Sequence, residues 1–76
     1  MVCVGVFLDE NQYDYYLADN DITEGMMVVV PVEHNKKAIG EVDEVLYLTR
    51  NNLPKPYREF KKIIRICNED DLKQLN

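Results

Sequence analysis

Seventy-six residues, 46% of them hydrophobic and 9% aromatic, suffice for one folded domain and exclude both a disordered chain and a multi-domain one. A domain this short buries only about 60–65% of its unfolded surface, so its core is small and function is expected on the surface. The net charge of −5 argues against a chain whose main partner is the phosphate backbone.

The charge is unevenly spread: −8 over residues 1–45, +5 over 46–66 and −2 over 67–76. Two surfaces of opposite sign suit a protein partner or self-association. No run approaches the roughly 18 apolar residues of a membrane span, so a soluble, cytoplasmic protein without membrane contact is expected. The opening Met1-Val2-Cys3-Val4-Gly5-Val6-Phe7-Leu8 lacks a basic start and runs into Asp9-Glu10, as a first strand does and a signal peptide does not.

In that stretch Val2, Val4, Val6 and Leu8 alternate with Cys3, Gly5 and Phe7, which predicts a strand with one strongly apolar face. Gly5 inside it marks a bulge or a close backbone approach. Residues 9–12 are a polar hairpin turn. Tyr13, Tyr15 and Leu17 then alternate with Asp14, Tyr16 and Ala18 in a second, antiparallel strand, which Asp19-Asn20-Asp21 breaks. Gly25 supplies the positive φ of the turn entered from Asp21-Ile22. The β-branched run from Met26 to Glu33 is the central strand, with Pro31 at an edge, a bulge or the strand's end.

His34 to Lys37 reads as a hairpin turn, and Ala38 to Leu48 as a fourth strand. A bulge near Asp43-Glu44 or a bend at Gly40 would curl it as small barrels require. Asn51-Asn52 and the prolines make 50–56 a surface loop, and Pro56 opens a short helical turn over Tyr57 to Lys61. Ile63, Ile64 and Ile66 form a short closing strand. Asn68 is a good N-cap before Glu69-Asp70-Asp71, and Cys67 and Leu72 have hydrophobic-staple spacing. The reading is a mainly β domain over 1–67, a small five-stranded SH3-like or OB-like barrel. A short C-terminal helix follows over 68–76, one that a longer chain would continue.

Val4-Gly5-Val6, Tyr15-Tyr16-Leu17, Asp21-Ile22 with Gly25, Val28-Val29-Val30 and Ile39-Gly40-Glu41-Val42 resemble the conserved domain of the polymerase-suppressor-protein family. Leu53-Pro54-Lys55-Pro56, Lys61-Lys62-Ile63-Ile64-Arg65 and Glu69-Asp70-Asp71-Leu72 resemble the same domain further on. The likeness covers most of the chain. It implies a regulator that works by binding other proteins, as a bacterial member does in sporulation signalling and messenger-RNA maturation. The Gly25 turn, Val28 to Val32 and Gly40-Glu41-Val42 also resemble the N-terminal DNA-end-binding domain of the primosomal helicase, across the middle of the chain only.

Catalysis finds little support. His34 sits in a turn, the chain has no serine, and neither glycine turn makes a phosphate-cradling motif. Glu41, Asp43 and Glu44 match no cation-binding loop and read as a solvated strand face. Cys3 and Cys67 read as reduced thiols, a disulfide being open to them if the first and last strands pair. No cofactor or metal is expected.

Two clusters are candidates for partner binding. One is Tyr13, Tyr15 and Tyr16, of which alternation turns at least one inward. The other mixes Arg50, Lys55, Arg58, Lys61, Lys62 and Arg65 with Tyr57 and Phe60. The expected function is protein–protein regulation by a non-enzymatic module. Single-stranded nucleic-acid binding is the alternative, since cations hold phosphates and rings stack on bases. An acidic inhibitor of the phage type, mimicking nucleic acid, is a third reading.

Overall fold

The computed structural model describes residues 1–9, 11–19 and 21–73, with only the backbone of Leu72 and Lys73. Six strands form one curled sheet: β1 (Val2–Asp9), β2 (Gln12–Ala18), β3 (Met27–Val32), β4 (Lys36–Tyr47), β5 (Lys61–Lys62) and β6 (Arg65–Ile66), in the order β5-β2-β1-β4-β3-β6. The sheet curls into a half-barrel. The sequence predicts five strands. The difference lies at the end: in place of one Ile63-Ile64-Ile66 strand, Lys61–Lys62 pairs at one edge of the sheet and Arg65–Ile66 at the other, with Ile63 and Ile64 between them.

β5 runs parallel to β2, and β6 antiparallel to β3. Between them Ile63 N–H donates to Leu17 O of β2 at 3.0 Å, and Ile64 N–H donates to Val29 O of β3 at 2.9 Å. Cys67 N–H then donates to Met27 O at 2.8 Å. One peptide step thus carries the chain from one sheet edge to the other, satisfying edge groups that would otherwise template aggregation. Ile63 turns into the core at this step.

The inner face carries Val4, Val6, Tyr16, Val28, Val30 and Val42, closed by Ile22 and Ile63. Two local devices set the curvature. Gly5 pairs with Glu44 and Val6 with Val42, so Asp43 is the extra residue of a β-bulge, as the sequence pattern suggests. At Gly40 a Cβ would collide with the Val6 side chain and lie 2.8 Å from Phe7 O, so β1 and β4 approach there as only glycine allows.

Gly25 has φ +86° and its N–H donates to Val42 O at 2.8 Å, which fastens the turn to the centre of β4. The β3–β4 turn falls on Glu33, His34 and Asn35, with φ 63° at His34 and 58° at Asn35, as a type I′ turn requires. β4 therefore starts at Lys36, two residues before the predicted position. Pro31 lies beyond the β6 pairing, where β3 is an edge.

Arg50–Asn52 and Tyr57–Glu59 are single 3₁₀ turns, and Pro56 is the N-cap of the second rather than its first residue. Helix α1 (Glu69–Lys73) opens on a reciprocal capping pair. Asp71 N–H donates to Asn68 Oδ1 and Asn68 N–H to Asp71 Oδ2, each at 2.9 Å. Positions 10, 20 and 74–76 of the expected turns and helix, and the Leu72 side chain of the expected staple, lie outside the described residues.

Candidate functional site

The alternation of β2 divides the tyrosine trio between two faces. Tyr16 faces inward at 3% exposure and packs in the core, so its ring is not presented to a partner. Tyr13 and Tyr15 face outward. Register places Phe7 of β1 opposite Tyr13, and Phe7 is 48% exposed. The three rings form a continuous row of edge-to-face contacts, with centroids 4.7 Å apart for Phe7–Tyr13 and 5.4 Å for Tyr13–Tyr15.

Gly5 lets this row form. A Cβ there would run into the Tyr13 hydroxyl and stand 2.6 Å from its Cζ, so the ring lies across β1 where a side chain would otherwise stand. Reaching over the strand, Tyr13 Oη donates to Asp43 Oδ2 at 3.0 Å. The bulge at Asp43 thus has a second use: it aims a carboxylate at the ring row. Loss of hydration, followed by the Asp43 hydrogen bond and the nearby acidic charges, raises the Tyr13 phenol well above its ordinary value, and it stays a donor.

Glu41 lies opposite Phe7 and Glu44 opposite Gly5, so both belong to this outer face. Glu41, Asp43 and Glu44 make no ion pair among the described residues. The sequence reading singles out Tyr13 and Tyr15 but not Phe7, because the pairing that aligns Phe7 with them depends on the hairpin register.

Several of the basic residues have partners within the chain. Lys55 pairs with Asp14 at 2.9 Å and lies over Phe60, 5.1 Å from its centroid. Arg65 pairs through both guanidinium nitrogens with Asp71, whose carboxyl is held near about 2 by that contact first and by the Asn68 N–H second. Lys62 pairs with Asp19 at 3.3 Å, and Arg50 sits 4.6 Å above the Tyr57 ring. Among the described residues Arg58 and Lys61 make no ion pair. Lys61 joins His34, Lys36 and Lys37 around an open groove of about 400 Å³ floored by Pro31 and Ile64.

At the other end of the sheet an open cleft of about 540 Å³ is lined by Met1, Leu17, Ala18, Tyr47 and Tyr57 together with the Asp19–Lys62 pair. Among the described residues no three His, Cys, Asp or Glu side chains gather as a metal site. Cys3 and Cys67 are free thiols, and burial raises both. β1 pairs with β2 and β4, and β6 with β3, so the strand pairing that would bring the two cysteines together does not occur.

No helix among the described residues is long and apolar enough to cross a membrane. No family model matches the chain, and neither does any curated protein or solved structure.

Proposed function

We propose that this chain is a non-enzymatic binding module that docks a protein partner on its outer aromatic face. The observation that carries the reading is the Phe7–Tyr13–Tyr15 row, three touching rings on a sheet surface with the outermost half exposed. Aromatic side chains dominate protein-binding hot spots because they bury much area while losing little rotamer freedom. The Tyr13–Asp43 bond fixes the row in advance, which lowers the ordering cost of association. Two free thiols fit a reducing compartment such as the cytoplasm. A regulatory role through protein contacts also agrees with the resemblance to the polymerase-suppressor family.

The test compares affinity capture by the tagged wild-type chain with capture by Phe7→Ser, Tyr15→Ser and Tyr47→Ser. Tyr47 is 75% exposed at the far end of the sheet and serves as control. Loss of the same captured protein in the first two variants, with retention in the third and a cooperative melt above the capture temperature in all, supports the reading. Equal capture by all four overturns it.

One observation favours a second reading. Lys36, Lys37 and Lys61 line a single groove, and none has an ion pair among the described residues. A single nucleic-acid strand would place phosphates there and a base against Pro31 and Ile64. Labelled oligonucleotides should then bind at low salt and release steeply as salt rises. No binding at low salt removes this reading.

A further inference from the structure

Resting on the protein-docking reading, we infer that the partner segment on the aromatic face is a cationic, extended strand carrying arginines two residues apart. The face is built in two rows across the sheet. One runs Tyr13–Phe7–Glu41 and the other Tyr15–Gly5–Glu44, with the Tyr13 ring lying over Gly5. Each row sets an aromatic surface beside a carboxylate on the neighbouring strand.

A guanidinium is the group that uses both halves of such a row. Its plane stacks on a ring within about 6 Å of the centroid, and its edge donates to a carboxylate. Neighbouring strands lie about 4.8 Å apart, so a cation over Phe7 is within reach of Glu41. The same holds for a cation over Tyr13 or Tyr15 and the Glu44 side. Asp43 is engaged by Tyr13, yet its charge adds to the field there.

The spacing follows from the strand. Phe7 and Gly5 are two residues apart, which is about 6.8 Å along a strand, the distance between same-side residues of an extended peptide. A partner running along β1 would therefore bring side chains i and i+2 to the two rows. The sign of the charge is equally one-sided. From Glu41 to Leu46, and along all of β1 and β2, no Lys or Arg occurs, and Glu41, Asp43 and Glu44 have no cation among the described residues. An acidic or neutral aromatic-seeking segment would leave these carboxylates dehydrated without a partner.

The probe is a nine-residue alanine-glycine peptide with a central Arg-Ala-Arg, titrated into the isotope-labelled chain and followed by amide chemical shifts. Controls carry Glu-Ala-Glu, or the same two arginines adjacent. Shifts should concentrate at Phe7, Tyr13, Tyr15, Glu41 and Glu44, and affinity should fall about tenfold in E41Q/E44Q and on raising salt. The adjacent-arginine peptide should bind more weakly and the glutamate peptide not at all. Glutamine keeps the shape, and the variant's amide spectrum without peptide shows whether the sheet is intact.

Equal binding of all three peptides, shifts at the Tyr47 end, or indifference to E41Q/E44Q overturns the inference. If Phe7→Ser still abolishes capture of a protein while the arginine peptide does not bind, the docking reading stands and the cationic partner falls. If neither happens, both fall.

Discussion

Replacing Gly5 with alanine tests how the aromatic face is assembled. The new Cβ would stand 2.6 Å from Tyr13 Cζ, with the hydroxyl closer still, so the ring must swing off β1. Three contacts leave with it: the Tyr13–Asp43 hydrogen bond and the edge-to-face pairs with Phe7 and Tyr15. An exposed hydrogen bond is worth about 0.5–1 kcal/mol, and each ring pair about 0.5–1.5 kcal/mol. Against this, alanine in a strand interior gains about 0.5–1 kcal/mol over glycine.

A net loss of about 0.5–3.5 kcal/mol is expected in the wild-type background from these contributions. With Tyr13→Ala already in place the ring is gone, and Gly5→Ala should be stabilising by about 0.5–1 kcal/mol. The assay is a double-mutant cycle by urea unfolding at constant m-value, with a coupling energy of about 2 kcal/mol expected. Equal costs of Gly5→Ala in both backgrounds would refute the reasoning and point to a backbone clash instead.

Gly40→Ala should cost more than Gly5→Ala, about 3 kcal/mol or above, because the groups in its way are the Val6 side chain and the Phe7 carbonyl rather than a ring that can swing out. Urea midpoints of the two variants rank them. Ile63→Ala removes the buried side chain at the crossing between sheet edges and should lose about 2–4 kcal/mol, with faster amide exchange at Ile64 and Cys67. Asn68→Ala should lose about 1 kcal/mol of thermal stability through the missing cap.

Asp71 gives a pH signature. Its folded value of about 2 lies below the ordinary carboxyl value, so its contribution is complete above the unfolded value and is lost as pH falls through the folded one. The stability gap between wild type and Asp71→Asn should therefore be full above about pH 5 and shrink towards pH 2. A gap that stays constant over that range would show that the Arg65–Asp71 pair contributes nothing.

What the sequence made legible is local. The valine run, the Gly25 turn and the Asn68 cap each depend on neighbours within a few residues, and each lies where the pattern puts it. The Asp43 bulge is legible for a related reason: the apolar spacing of Ile39, Val42 and Val45 slips out of period there. The closing segment is not legible, because two-residue strands have no periodicity. Ile63 and Ile64 part to opposite sheet edges for reasons of barrel closure. The ion pairs of the basic segment are not legible for the same reason: Asp14 and Asp19, which engage Lys55 and Lys62, lie about forty residues away in sequence. Phe7 enters the aromatic row only through the register of a hairpin.

A photo-reactive benzoylphenylalanine placed at position 7, and separately at position 47, tests docking on the outer aromatic face most directly. After irradiation in cells, mass spectrometry should find one dominant protein joined at position 7 and absent at position 47. Adducts that form only at position 47, or that carry nucleic acid in place of protein, would contradict it.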